Sequence, residues 1–325
     1  MADNRLQLVS ESISSPEAPP SMRYVRRQEQ QAKFERLWLR EPERFNPLRN
    51  CMQKERLERT WNIIPADYSL TDKRAVDLGC GAGFFTRRLR DAGASVDAVD
   101  IAENALKYFA LYDNIRIHTR QDAVPTTKLD DDEYDLVVCT ELIAELPPDD
   151  YRLCFAELSR LIKRNGYLVC SSPIDINSEG GAQRLLQLAQ TEFDILEIRP
   201  SYHALYLRLK RLLKTPSRFI EAWRNPQYCN RELDKRTGLD YVWFWFNTTL
   251  FMIWIWSILN TICRPLLKLL KYNRSVLLTL EKICHYFSDE AGISHLIFLA
   301  KRRPLQAVEP SKRPVERPGK REIWE

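Results

Sequence analysis

The stretch VDLGCGAGFFTRRLRDAGASVDAVDIAENAL, residues 76–106, decides the fold. A short β-type run leads into three glycines, Gly79, Gly81 and Gly83, after which a helical pattern begins. Glycines in this context let the backbone turn sharply and approach a ligand closely. A second β-type run then ends at Asp100. The stretch therefore predicts a strand–turn–helix–strand unit with a ligand site at its glycine turn.

The alternation of strand and helix patterns continues beyond this stretch. We predict strands at 75–78, 95–100, 115–121, 134–140, 166–172, 193–198 and 294–301, and helices at 84–91, 102–112, 149–163 and 183–190. Strands and helices that alternate at this spacing form a parallel sheet with helices on both faces. The predicted fold is α/β, Rossmann-like and doubly wound. It has a mostly parallel seven-stranded sheet and a helical, strongly apolar insert before the last strand.

Composition divides the rest of the chain. The first residues are polar and rich in Ser and Pro, and the last ones combine prolines with dense charge, which is typical of disorder. The predicted divisions are a disordered tail at 1–22, a cap of two or three short helices at 23–72, the α/β domain at 73–206 and 291–303, a helical insert at 207–290 and a disordered basic tail at 304–325.

Three acidic residues follow the predicted strands in a pattern that indicates a particular ligand. Asp77 precedes glycines spaced G-x-G-x-G, one residue tighter than the dinucleotide pattern. An acid there can hold the amino group of an amino-acid-like ligand, whereas it would repel a pyrophosphate. Asp100 ends the second strand, where a carboxylate can accept hydrogen bonds from both ribose hydroxyls. Asp122 follows the third strand and is placed to meet an adenine edge.

Two segments carry a resemblance to a known family. Residues 76–106 and YDLVVCTELIAELPPDDYRLCFAELSRLIKRNGYLVCSSP, residues 134–173, resemble the class I S-adenosylmethionine (SAM)-dependent methyltransferases. The letters NPLR at 46–49 resemble the ubiquinone-biosynthesis O-methyltransferase group. The resemblance implies SAM as cofactor and, besides Asp77, the cofactor-binding residues Gly79, Gly81, Gly83, Asp100, Ile101, Asp122, Ala123 and Thr140. Within that set, the Ala123 backbone amide would meet the adenine and Thr140 would line the methionine end.

The resemblance also points to Glu141 and Glu145 as candidate catalytic residues. The group usually carries a Glu and, four residues later, a His next to the substrate, and Glu145 takes the place of that His. The substitution leaves the identity of the base and any dependence on a metal open, and we predict no metal. Either Glu could be the base if partial burial raised its pKa. The alternative for Glu145 is that it caps the following loop or helix.

Composition and motifs exclude several other classes of function. The eight cysteines never form C-x-x-C and the four histidines are scattered, which argues against a zinc site or a disulfide framework. The sequence 146–149 reads LPPD and lacks the first and last letters of the base-amino methyltransferase tetrad. The net charge of +5 is modest, so we expect no nucleic-acid partner. The start of the chain shows no apolar secretory segment, so we expect a cytoplasmic catalytic part.

An uncharged run, YVWFWFNTTLFMIWIWSILNTIC at 241–263, is long enough to cross a membrane. A single crossing would separate the last strand from its sheet, and Pro265 is predicted to break the next helix at its start. Residues 199–240 are rich in basic side chains, and Leu205, Leu209, Leu212 and Leu213 lie among them at helical spacing. We therefore expect contact with a membrane surface through residues 207–270. The alternatives are a single span, or a buried helix at 243–256 in the domain or a dimer interface.

The sequence as a whole predicts a SAM-dependent methyltransferase that acts at a membrane surface. The expected acceptor is a small, lipophilic molecule, and methylation at oxygen is favoured. The alternatives are a protein or RNA methyltransferase, and a catalytically inactive, membrane-anchored SAM-binding protein. The oligomeric state is left open.

Overall fold

A seven-stranded sheet forms the centre of the molecule. The computed structural model describes residues 20–110, 116–176 and 180–303, so both predicted tails, apart from 20–22, lie outside the described residues. The strands are β1 (Arg74–Leu78), β2 (Ser95–Asp100), β3 (Ile117–Gln121), β4 (Tyr134–Thr140), β5 (Ile162–Pro173), β6 (Phe193–Ser201) and β7 (His295–Arg302). Their order is β3-β2-β1-β4-β5-β7-β6, and β7 alone among them runs antiparallel to its neighbours. The predicted fold class is confirmed.

Helices cover both faces of this sheet. They are α1 (Pro20–Arg40), α2 (Cys51–Asn62), α3 (Phe84–Asp91), α4 (Glu103–Phe109), α5 (Tyr151–Leu161) and α6 (Gly181–Ala189). One face packs on α5 and α6, for example through Phe155 and Leu186. The other packs on α2, α3 and α4, for example through Phe85 and Leu106. Because both faces are covered, central strands such as β4 are continuous apolar runs.

The N-terminal cap, residues 20–62, differs from the prediction of two or three short helices. Its first helix, α1, has 21 residues and begins before the predicted boundary at 23. Pro42 and Pro47 each begin a short 3₁₀ turn after α1. Proline fits the first turn of a helix, where its missing N–H has no partner to lose. No proline lies between positions 20 and 42, so α1 continues without a break to Arg40.

The region between α5 and β5 was also predicted wrongly. The helix ends at Leu161 rather than 163, and the strand begins at Ile162 rather than 166. Ile162 pairs with Tyr134 at the start of β4, which draws the chain into the sheet early. At Gly166 a β-carbon would lie 2.8–2.9 Å from the Ile162 side chain and two carbonyl oxygens, so the close approach there requires glycine.

Five helices between β6 and β7 form the insert: α7 (Ala204–Arg224), α8 (Pro226–Leu233), α9 (Gly238–Asn247), α10 (Leu250–Tyr272) and α11 (Arg274–Ser288). The uncharged run is therefore two helices rather than one. The break follows from side-chain bonding, because the hydroxyls of Thr248 and Thr249 donate to the last carbonyls of α9. Pro265 does not break a helix, since it lies inside α10.

Helices α7 and α10 run antiparallel and cover each other along one side. Tyr206 and Leu270 share a cluster with Cys51 and Met52 of α2, while Phe219 packs on Ile253 at the other end. Helix α10 is long and apolar enough to cross a membrane by length and composition, and 11% of its most apolar window is buried.

The insert leaves large aromatic side chains exposed on α9 and α10. Trp243, Trp245 and Trp254 are 54%, 55% and 65% exposed. Within a single chain, the alternative of a buried helix over 243–256 is therefore wrong.

Candidate active site

A cavity of about 420 Å³ opens at the carboxyl ends of β1 to β5, beneath the N-terminal cap. This is the edge where parallel α/β sheets bind ligands. The structure brings most of the predicted site residues to its wall: Asp77, Gly79, Gly81, Asp100, Ile101, Asp122, Ala123, Thr140, Glu141 and Glu145. Gly83 is not in the wall. It stands at the N-cap of α3 with φ +69°, so its position serves to start that helix.

The glycine turn lies close beneath the cap. Gly81 has φ +51°, and a β-carbon there would lie 3.1 Å from the ring of Trp38 on α1. Trp38 is 5% exposed and stacks on Phe45 with ring centroids 4.5 Å apart. The cap and the turn therefore form one wall, and a side chain at Gly81 would both strain the backbone and displace Trp38.

Asp77 is buried, and only one of its two carboxylate oxygens accepts a hydrogen bond. Its Oδ2 accepts a hydrogen bond of 2.6 Å from the Thr86 hydroxyl, while Oδ1 has no partner among the described residues. Burial raises the pKa of Asp77 to about 7, against the lowering effect of the Thr86 bond. An acceptor without a donor in a cavity wall fits a ligand ammonium group.

Asp100 and Asp122 hold the loops that follow their strands. The Asp100 carboxylate accepts from the amides of Gly81 and Ala102 at 3.0 and 2.9 Å, and burial raises its pKa. Asp122 accepts from Arg27 of α1 and from the amides of Ala123 and Lys128 at 2.6–2.8 Å. The Ala123 amide, predicted to meet adenine, thus donates to Asp122 here. Any adenine contact at Asp122 competes with these donors.

Glu141 lies at the centre of a cluster that sequence reasoning did not foresee. Its carboxylate contacts the His295 ring, accepts from the Ser171 hydroxyl at 3.2 Å, and lies 3.8 Å from Arg56. Burial raises the pKa of Glu141, but His295 and Arg56 outweigh that effect and lower it to about 2. The raised pKa that would let Glu141 act as the base is therefore not found. Its backbone has φ +59°, a strained conformation often found at functional sites.

Glu145 is held by the cap. It lies in a 3₁₀ turn, its carboxylate pairs with Lys33 at 2.8 Å, and its carbonyl accepts from Gln30 at 2.7 Å. The side chain is 46% exposed. These contacts tie Glu145 to α1. The alternative that it caps the following loop or helix is not supported, because the 3₁₀ turn at Pro148 and the helix at Tyr151 begin without a side-chain cap hydrogen bond.

Two residues of this end of the cavity were missed. His295 is fully buried at the start of β7, and burial lowers its pKa although Glu141 acts in the opposite direction. Arg56 reaches the cavity from α2. A histidine that begins an antiparallel strand was the available signal, because such a strand starts at the carboxyl edge of its parallel neighbours. Among the described residues, no group of three or more His, Cys, Asp or Glu side chains is arranged to hold a metal.

Comparison with known proteins identifies the family. Residues 76–170 match the family model described as a methyltransferase domain. Ubiquinone biosynthesis O-methyltransferase from Bordetella pertussis is 30% identical over 191 residues, which cover 54% of this chain and 75% of that protein. The protein of the same name from Bordetella avium is 33% identical over 42% of this chain and 56% of its own length.

Among solved structures, the N-methyltransferase NodS from Bradyrhizobium japonicum, in complex with S-adenosyl-L-homocysteine, aligns with a TM-score of 0.45. It is 17% identical, over 53% of this chain and 89% of its own. The family assignment rests on the sequence matches and on the sheet described above. The chain belongs to the class I SAM-dependent methyltransferases.

Proposed function

We propose that this methyltransferase modifies an oxygen of a small, lipophilic acceptor at a membrane surface. The observation that carries the proposal is the position of α2. One side of that helix lines the cavity with Gln53, Arg56, Leu57 and Thr60. The opposite side packs on the insert through Cys51 and Met52. The helix that lines the cavity therefore also supports the base of the insert, whose other end carries the exposed aromatic side chains.

The sheet order supports an arrangement of the cofactor along the cavity. Asp122 directly follows β3, and Asp100 and Asp77 lie on β2 and β1, the next strands along the sheet. In the proposal, adenine lies at Asp122 and Ala123, the ribose at Asp100 and Ile101, and the methionine ammonium at Asp77. Gly79 and Gly81 let the chain approach the ligand, and Thr140 faces its methyl end. The acceptor then lies in the part of the cavity at the ends of the next strands, β4 and β5, beside Glu141 and Ser171.

Bound SAM supplies an activated methyl group, which passes to the acceptor oxygen while the sulfur keeps the bonding electron pair. The protein mainly has to align the acceptor. His295 fixes the carboxylate of Glu141, and Glu141 orients the acceptor by accepting a hydrogen bond from its hydroxyl. A carboxylate whose pKa is about 2 is a weak base, so we assign Glu141 to orientation rather than to proton removal.

The insert supports the membrane part of the proposal. Exposed aromatic and aliphatic side chains recur along α9 and α10, and a run of exposed apolar side chains is typical of a membrane or protein contact. Helix α7 covers one side of α10 and is rich in Arg and Lys, which suits a helix pair lying in the interface better than a span. Charged side chains on α7 are then attracted to anionic lipids.

The test uses full-length protein in lipid nanodiscs with SAM labelled on the methyl group. The acceptors are catechols with and without a polyprenyl tail. The proposal expects label in an organic-extractable product that survives mild base, as an ether does and an ester does not. The Asp100→Ala variant serves as the control without cofactor binding. Label found in protein, or equal turnover of tailed and untailed catechols, would reject the proposal.

A further inference from the structure

Arg56 is a mostly buried cation, and one nitrogen of its side chain has no hydrogen-bond partner among the described residues. The side chain is 13% exposed, and the nitrogen in question is Nε. Its ion pair with Glu141 is long, at 3.8 Å. Arginine carries five N–H donors, and leaving them unpaired away from water is costly. An arginine in this state, in a cavity wall, provides a place for an anion.

The neighbours of Arg56 do not neutralise it fully. Glu141 shares its carboxylate with His295 and Ser171, so it balances Arg56 only in part. Burial lowers the pKa of His203 and of His295, which keeps both rings neutral near pH 7. Burial also raises the pKa of Tyr206 to about 12, so its hydroxyl stays protonated.

The remaining charge beside Arg56 is another cation. Lys210 has its pKa lowered by burial and by Lys214 and Arg56. Of the groups named around Arg56, Glu141 is thus the one that carries negative charge at neutral pH. The local balance favours an incoming anion over a neutral or cationic group.

We propose that Arg56 binds the reacting oxygen of the acceptor as an oxyanion. This inference rests on the proposed function. The acceptor O–H bond breaks, the proton leaves to water, and the oxygen keeps the electron pair beside the guanidinium. A cation within a few ångströms lowers a neighbouring acid's pKa by about 1–3 units. A phenol is acidic enough for such a shift to matter near pH 7, whereas an aliphatic alcohol is not.

This assignment explains how the site can work without a strong base. Glu141 holds the hydroxyl before ionisation, and Arg56 stabilises the charge that ionisation leaves. The two side chains reach the same point from β4 and from α2. Arg56 is therefore a catalytic residue in the strict sense, because it contacts the reacting oxygen.

The test compares Arg56→Met and Arg56→Lys with Lys54→Met, which removes an exposed cation from the same helix outside the cavity. Turnover of a prenylated catechol is measured from pH 6 to 10 in nanodiscs, and binding of S-adenosylhomocysteine reports that each variant is folded. Arg56→Met should lower kcat/KM about 10- to 100-fold at pH 7 and shift the pH profile upward, so that the loss shrinks near pH 10. Arg56→Lys should recover part of the rate at pH 7 and part of the wild-type pH profile.

The outcomes separate the two proposals. If wild-type protein binds S-adenosylhomocysteine but transfers no methyl group to any organic-extractable acceptor, the proposed function fails. If it methylates an aliphatic alcohol and no catechol, the oxyanion role of Arg56 is wrong. If wild type is active and Arg56→Met keeps the wild-type pH profile, Arg56 serves only the structure and the inference is wrong. Lys54→Met should match wild type in rate and profile. An equal loss in Lys54→Met would mean that general surface charge sets the rate, which also overturns the inference.

Discussion

His295 contacts the carboxylate of Glu141 through Nε2, although 154 residues separate them in the sequence. The contact exists because β7 enters the sheet antiparallel, in register with Pro173 of β5 and Ser201 of β6. Its first residue therefore arrives at the edge where its parallel neighbours end. The last strand, which follows the insert, thus completes the candidate active site.

Substitution of His295 tests whether this contact positions Glu141. His295→Leu removes the donor and should lower kcat by about tenfold to a hundredfold, because a misoriented carboxylate no longer aligns the acceptor. His295→Gln keeps an N–H donor and should lose much less. Methyl transfer under saturating SAM gives kcat. In a double variant with Glu141→Gln, no further loss is expected beyond the Glu141→Gln value. Fully additive losses would show that the two residues act separately.

The pKa of Asp77 predicts that cofactor affinity depends on pH. With a pKa of about 7, the free protein holds Asp77 largely protonated at pH 6, whereas an ammonium pairs with the carboxylate. Binding at pH 6 must then release a proton, so affinity should rise from pH 6 to 8, by at most about tenfold per unit below 7. Calorimetric titration with S-adenosylhomocysteine measures this. Asp77→Asn should bind more weakly and without the pH dependence, and a persistent dependence would place the titrating group elsewhere.

An ion pair between Arg59 and Glu281 should anchor the insert to the cap. The two terminal nitrogens of the Arg59 guanidinium each lie 2.6 Å from an oxygen of the Glu281 carboxylate, and the Glu281 side chain is 11% exposed. Arg59→Met leaves that carboxylate short of donors and should lower the unfolding free energy by about 3 kcal/mol at pH 7. Denaturant melts of the full chain give the value, and Arg59→Met combined with Glu281→Leu should recover part of it.

The pH dependence of this effect has a definite sign. Burial raises the pKa of Glu281, but His203 and Arg59 lower it to about 2, below its ordinary value of 4.5. Its contribution is therefore complete above about pH 5 and is lost as the pH falls toward 2. The gap between wild type and Arg59→Met should close over that range. A constant gap would mean that lost packing, rather than charge, causes the destabilisation.

Exposed tryptophans of the insert should dominate membrane binding. Trp245→Ser with Trp254→Ser removes two large side chains without disturbing the buried face, and should weaken vesicle binding by about tenfold or more. Sedimentation with vesicles containing anionic lipid measures it, and 0.5 M salt should weaken the wild type further by screening the basic side chains. Leu39→Ser on α1, where Leu39 is 72% exposed, is the matched control. Binding that survives the double change would reject this surface.

The sequence predicted the arrangement of the cavity wall correctly where that arrangement depends on local spacing. Gly79, Gly81, Asp77 and Asp100 lie within one strand–turn–helix–strand unit, so their order along the chain already places them at one edge of the sheet. The positions of the strands could also be predicted from the sequence, because buried parallel strands are continuous apolar runs.

The acceptor end could not be predicted in this way. Arg56 and His295 reach Glu141 from a helix before the sheet and from a strand after the insert, and no local pattern records such contacts. The same holds for the pKa of Glu141, whose direction depends on those partners. Within the insert, composition predicted an apolar helix but not the break at Thr248 and Thr249, because two hydroxyl bonds decide it.

The placement of α2 sets a length scale for the acceptor. An α-helix is about 10 Å across with its side chains, and α2 lines the cavity with Arg56 while it packs on the base of the insert with Cys51 and Met52. If the insert lies on a membrane as proposed, a molecule anchored in the lipid layer by its tail must span that thickness before its head group meets Glu141. Under the proposed function, the thickness of α2 therefore favours acceptors with an extended segment of at least about 10 Å between the membrane anchor and the ring that is methylated.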